Sequence, residues 1–244
     1  MGMASQAILV IGAGDYTGGA VARRFAREGF VACVTRRNAE KLAPLVAQIR
    51  AEGGQAHAFG SDARREEQVI ELFGQIERDI GPIEVCVYNV GGNVRFPILE
   101  TTSRVYFKVW EMCAMGAFLA GREAAKCMMS RGRGTILFTG ATASLRGGVG
   151  YAAFAGGKHA KRALAQSMAR ELGPKGIHVA HVVIDGGIDT AFIRENRPDV
   201  YESRKAADAL LQPEAIAEMY WQIHKQPRTA WTFETDLRPW SETW

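Results

Sequence analysis

Six short apolar runs, each followed by a longer stretch of helical character, constrain this chain more than any other feature. They are AILVI (7–11), VACVT (31–35), QAHAF (55–59), IEVCVYNV (83–90), GTILFTG (134–140) and IHVAHVVID (177–185). Most are apolar along their length rather than alternating, which predicts strands buried on both faces. Such strands, separated by helices, assemble into a parallel sheet with helices on both sides. The helices are expected to Glu28 with Gly29 as a stop, through AEKLAPLVAQIRAEGG and REEQVIELFGQIERDIG, and over 102–131 and 151–172. The ending, residues 229–244, reads as a last strand plus an aromatic tail. No Pro- or Ser-rich linker and no internal repeat divides the chain, so residues 1–244 are expected to form a single doubly wound α/β domain.

Composition excludes several classes of function. Of 244 residues, 47% are hydrophobic and 23% charged, the balance of an ordinary globular protein. The net charge of +4 comes from basic residues scattered among acids, without the basic stripe that nucleic-acid binding needs. The longest apolar runs are too short to span a bilayer. The opening MGMASQ has Gln6 where a myristoylation signal carries Ser or Thr. Cys33, Cys86, Cys113 and Cys127 form no Cys-x-x-Cys pair, and Cys33 and Cys86 read as buried thiols, so a reducing, cytoplasmic setting is expected. His178 and His181 are an odd number of residues apart on one strand and face opposite sides, so no metal site is expected.

The first strand runs into VIGAGDYTGGAVARRFAREG, which opens the first helix. Glycines in a strand–turn–helix setting let the backbone approach a pyrophosphate, and the helix N-terminus supplies N–H donors. A tight turn without a ligand is the plainer alternative. The second strand ends in Thr35-Arg36-Arg37, and guanidinium groups match a phosphate in charge and in paired donors. That favours NADP over NAD, although two arginines on a solvated turn would read the same way. Asp15 in the glycine loop argues mildly for NAD.

Gly12 and Gly18 match the outer glycines of the Gly-x-x-x-Gly-x-Gly loop of the short-chain dehydrogenase/reductase family, which this chain resembles over nearly its whole length. Tyr16 replaces the middle glycine and Gly14 is an extra one. The resemblance implies a Rossmann-like sheet of about seven strands and a nicotinamide dinucleotide as cofactor. It makes Gly12, Gly14, Asp15, Tyr16, Thr17 and Gly18 phosphate-loop contacts. Asp62, followed by Ala63, falls where the family holds the adenine amino group, with a helix N-cap as the competing reading of Asp62. In YNVGG (88–92), Asn89 and Gly91 keep the stretch after the fourth strand. In DGGIDT, Asp185 stands for the family's proline, while Gly186, Ile188 and Thr190 fit the segment that holds the nicotinamide carboxamide. Residues 191–212 occupy the place of a substrate lid. The long helices at 102–131 and 151–172 are expected to pair between copies in a homodimer or homotetramer.

The proton-handling residues of the resemblance are mostly replaced. A family Tyr, with a Lys at i+4 on the same helical face to acidify its phenol, becomes Phe154 before Lys158. The family Ser falls on Ala141, with Thr142 and Ser144 as nearby hydroxyls, and the upstream Asn falls on Cys113. Lys158 also implies a bond to the nicotinamide ribose. Thr142 is the candidate for orienting a substrate. Tyr151, one turn or about 5.4 Å before Phe154, is a more distant source of a phenol. Two readings follow. One is an NAD(P)-dependent oxidoreductase acting on a small carbonyl or alcohol with a degraded catalytic set. The other is a nucleotide-binding sensor or partner subunit without turnover.

Overall fold

A computed structural model describes residues 6–14 and 16–243; Asp15, expected at the phosphate loop, lies outside the described residues. Its strands are β1 (Ala7–Ile11), β2 (Val31–Arg36), β3 (Gln55–Gly60), β4 (Ile83–Tyr88), β5 (Gly134–Thr139), β6 (Ile177–Ile184) and β7 (Glu234–Leu237). They form one sheet in the order β3-β2-β1-β4-β5-β6-β7, with every neighbouring pair parallel. The chain starts mid-sheet, winds outward through β2 and β3, then crosses back to β4. Where the winding reverses, between β1 and β4, the connections diverge and leave a crevice at the strand carboxyl ends.

The apolar runs account for the layering. All five β1 residues are buried, and Leu9 sits between Cys33 of β2 and Cys86 of β4. Ile8 and Val10 pack with residues of α1 (Thr17–Ala26), α2 (Ala43–Ala51) and α9 (Pro213–His224). Leu9 and Ile11 face the other way, toward α3 (Glu66–Asp79), α5 (Gly116–Met129) and α6 (Ala152–Leu172). Phe25 of α1 meets Trp221 of α9 edge-on at 5.2 Å, tying the first helix to the last. The two outermost strands depart from the buried pattern. β3 exposes Gln55, His57 and Ala58, and β7 is only half-buried, because an edge strand lacks a neighbour on one side.

The helix expected over 102–131 runs unbroken from Ser103 to Met129 but carries a π bulge. α4 (Ser103–Trp110) passes through a π turn (Glu111–Met115) before α5 begins. The Tyr88 hydroxyl, fully buried at the end of β4, donates to Met112 O at 2.6 Å and satisfies a carbonyl of that turn. A Cβ at Gly116 would collide with the same hydroxyl. The expected lid region contains α7 (Ala191–Asn196) and α8 (Pro198–Ala206), followed by a bridge from Leu211 to Ile188. Among the described residues no helix is long and apolar enough to cross a membrane.

Candidate functional site

The carboxyl ends of β1, β4, β5 and β6 frame a cleft of about 620 Å³. It adjoins a second cavity of about 500 Å³ over the end of β2, and Gly12 and Gly91 line both. Both volumes fall in the range of small-molecule and cofactor sites.

The glycine loop is built for close approach. Gly12 has φ +88° and donates its N–H to Thr35 O at 3.1 Å. An added Cβ at Gly18 would stand 2.5 Å from Gly12 O, so only glycine lets α1 start this near the loop. Gly14 is different: a Cβ there meets nothing within 4 Å, although its N–H does bond Gly12 O at 3.0 Å. Thr17 opens α1 and is buried at the cleft wall. Tyr16 is no substitute for a glycine in the cradle. It reaches across the cleft, and its hydroxyl accepts from the backbone N–H of Phe192 at 3.2 Å, in α7. Asn89 supports the cradle from behind, its Nδ2 donating to Gly12 O at 3.0 Å and its backbone N–H to Ile11 O at 2.8 Å.

The second cavity is lined by Arg36, Arg37, Lys41 and Arg64, together with Asp62 and Ala63. Asp62 does not cap α3, which starts at Glu66 with Arg65 as its N-cap residue. Its carboxylate is instead gripped by the Arg64 guanidinium at 2.6 and 2.9 Å, and accepts from the Arg64 backbone N–H at 3.1 Å. Those bonds hold Asp62 below the usual carboxylate range. Among the described residues that line this cavity, four are basic and one is acidic.

At the far end of the cleft, Phe154 is 8% exposed and packs with Val109, Cys113 and Ala143. Lys158 lies behind it, with Nζ 5.5 Å from the ring centroid, donating to Thr139 O at 3.0 Å and Gly140 O at 3.3 Å. Burial pulls its amine below the ordinary lysine range. Cys113 is fully buried in the π turn, its Cβ against the backbone at Gly157. Ala141 turns its backbone N–H to Ser144 Oγ at 3.1 Å, so Ser144 is committed to that turn. The Thr142 hydroxyl donates to Asp185 Oδ1 at 2.6 Å; it offers the cleft lone pairs rather than a proton. Tyr151 lines the cleft with its ring 6.5 Å from that of Phe154.

Beyond β6, Asp185 is fully buried and held by Thr142, by Arg146 at 3.3 Å and by Arg238 at 3.6 Å. A carboxylate therefore organises the segment where the resemblance has a proline. Gly186 has φ +151° and leaves room for Pro239 of the tail. Ile188 pairs with Leu211 and lines the cleft. The Thr190 hydroxyl accepts from Ile193 N at 3.3 Å, capping α7 at the cleft edge. The two strand histidines separate as expected. His178 stacks on Trp231 at 4.7 Å, while His181 bonds Glu234 at 2.9 Å.

Sequence reasoning overlooked Lys161, Arg146, Arg238 and Asn93. Lys161 had a local signal, since it lies at i+7 from Phe154 and i+3 from Lys158 on one helical face. Arg238 had none, because its partner Asp185 is 53 positions away in sequence.

The pattern of the short chain dehydrogenase family matches residues 6–200. The chain is 31% identical over 190 residues to the 2,3-dihydro-2,3-dihydroxybenzoate dehydrogenase of Bacillus subtilis (strain 168), spanning 78% of this chain and 72% of that protein. The crystal structure of a short-chain dehydrogenase from Rhodopseudomonas palustris superposes with a TM-score of 0.83 at 50% identity, covering 96% of this chain and 99% of that one. An actinorhodin polyketide ketoreductase crystallised with NADPH superposes with a TM-score of 0.86 at 26% identity, covering 96% of both chains.

Proposed function

The chain belongs to the short-chain dehydrogenase/reductase family, and from that premise we propose that it is an NADP(H)-dependent oxidoreductase acting on a small carbonyl or alcohol. The observation that carries this reading is the continuity of the cleft. It runs from the cationic pocket at Arg36 and Arg37, past the glycine cradle, to the buried amine of Lys158. The cradle fits a dinucleotide, because Gly18 lets α1 begin directly against the loop backbone and so brings the N–H donors of its first turn to the cleft, where a pyrophosphate would be held. When bound, the nicotinamide supplies or accepts the hydride.

The chain's own residues divide the remaining work. Arg36 and Arg37 bind the 2′-phosphate, a dianion that a guanidinium fork matches. Gly12, Gly18 and Thr17 line the pyrophosphate bed, and Asn89 keeps that bed in place through Gly12. Lys158 presents its amine to the nicotinamide ribose. Phe154, Tyr151 and Ala143 wall the substrate end and exclude water. Asn93 and Arg146 give that end its polar edge. Residues 191–212 act as the lid, latched to the loop by the bond from Phe192 N–H to Tyr16. The four free cysteines suit a reducing, cytoplasmic setting.

The test is calorimetry with NADPH and NADH together with a panel of small ketones, aldehydes and secondary alcohols. NADPH is expected to bind more tightly, and at least one panel member to turn over. Binding without any turnover would leave a nucleotide sensor or partner subunit, the reading that Phe154 and Ala141 favour.

The same proposal includes a dimer or tetramer. Phe107 is 59% exposed and stacks on Trp110 at 6.1 Å, with Tyr106 and Phe118 exposed on the same α4–α5 segment. Aromatic side chains left in water along a helix suit a second copy. Sedimentation at micromolar concentration should show a dimer or larger, and Phe107→Glu should shift it toward monomer. A wild-type monomer would remove this part of the proposal.

A further inference from the structure

One turn beyond Lys158, α6 carries a second lysine of unusual placement. Lys161 is fully buried, and its Nζ donates to Val90 O at 2.9 Å and Thr139 O at 3.1 Å. Lys158 Nζ donates to that same Thr139 O at 3.0 Å, so the two amines share one carbonyl. Among the described residues, neither amine forms an ion pair with a carboxylate; their protein acceptors are the carbonyls of Val90, Thr139 and Gly140.

The surroundings offer little compensation for two positive charges. The Tyr88 ring of β4 lies 5.0 Å from Lys161 Nζ, and the Phe154 ring faces Lys158. Cys113 of the π turn and His181 of β6 complete the near shell. Burial pushes His181 down to about 4, so it is neutral at physiological pH. Glu234 of β7 bonds His181, but Arg162 already takes its carboxylate at 2.6 and 2.7 Å. Burial pulls both lysines below their ordinary range, and the charge of Lys158 pulls Lys161 further down. Two such amines titrate as a unit, and the doubly protonated form is the acidic one.

We propose that Lys158 and Lys161 form a two-amine proton couple that does here what a phenol would do in Phe154's place. Lys158, at the cleft wall, exchanges the proton with substrate, and Lys161 is the positioning residue behind it. The inference rests on the redox reading above. As the substrate carbonyl carbon receives hydride from the reduced nicotinamide dinucleotide, its π pair moves to oxygen. That oxygen takes a proton from Lys158 Nζ. The couple is left as one neutral amine and one ammonium, both still donating to the Thr139 carbonyl, and solvent returns the lost proton through the cleft. Alcohol oxidation runs the same transfers backward. Reduction should therefore fall as pH rises through the couple's first midpoint, where the second proton is lost.

The experiment is an NMR pH titration of the nucleotide-free full chain, carrying 13C at the lysine ε-carbons, beside Lys161→Met and Lys161→Gln. In the wild type, the two buried lysine signals should share a step at lower pH than any exposed lysine. In both variants the shared step should give way to a single Lys158 step at a changed midpoint, because burial still acts on Lys158 while its partner amine is gone. The glutamine keeps a donor for the Val90 and Thr139 carbonyls, so it removes the titrating amine with the least structural disturbance. In the loaded enzyme, kcat/KM for reduction should fall at least about tenfold in either variant and lose the matching limb of its pH profile. A structural strut would not move that limb. Independent titration of the two lysines, or a Lys158 step whose midpoint is unchanged in Lys161→Gln, would overturn the couple. The wild-type titration decides the matter even where a variant fails to fold. Turnover without a shared step would count against the couple alone, whereas a shared step with no turnover on any substrate would count against the redox reading.

Discussion

Alanine at both Arg36 and Arg37 is expected to weaken NADPH binding by about a hundredfold and NADH binding by less than about threefold. A charge-assisted hydrogen bond is worth roughly 1.5–3 kcal/mol, and solvent around the partly exposed rim discounts each of them. Two such contacts to a phosphate dianion then total about 2.7 kcal/mol, a factor of about 100. NADH has no 2′-phosphate and loses only the weak general field of the pocket. Lys41 and Arg64 line the same cavity, so the double variant keeps residual attraction. Calorimetry at one fixed ionic strength measures both affinities. Equal losses for the two nucleotides would remove the 2′-phosphate from this pocket.

The second large effect concerns Phe154 and Ala141. Phe154→Tyr together with Ala141→Ser is expected to raise reduction of an accepted carbonyl at least about tenfold, within the range that positioned acid–base groups supply. The ring of Phe154 already faces Lys158 Nζ at 5.5 Å and lines the cleft, so a phenol there would stand beside an ammonium that favours its ionised form. Serine at 141 is needed because Thr142 has committed its proton to Asp185 and Ser144 bonds the Ala141 backbone. The pH profile should change with the rate, since the phenol takes over from the amines. Brisk wild-type turnover that Phe154→Tyr abolishes would make Phe154 a pocket wall that the chemistry requires and would sink this expectation.

Much of the fold was legible in the residues themselves. Runs such as AILVI and IEVCVY are apolar at every step, and a chain with several of them separated by helices has little choice but a parallel sheet covered on both faces. The tight glycine loop was legible too, because Gly18 answers to a steric demand from Gly12 and Ala13, within reach of a local pattern. The π turn at Glu111–Met115 was not. It depends on a hydroxyl from Tyr88, 24 residues earlier, and the α4–α5 sequence reads as one unbroken helix.

The site divides along the same line. Sequence spacing placed Phe154 and Lys158 on one helical stripe and ended β2 in two arginines, because neighbours along a helix or strand have fixed relations in space. It did not disclose where the hydroxyl of Thr142 points, that Tyr16 reaches α7, or that Asp185 is a buried carboxylate held from Arg146 and Arg238. Nor did it tell that Lys161, polar by composition, lies fully buried on the carbonyl that Lys158 also uses. The sequence alone determined the strands, the glycine loop and the spacing of Phe154 and Lys158, each set by relations within a few residues. The tertiary structure alone decided the partners of the polar groups, because a buried charge is defined by what distant segments bring to it.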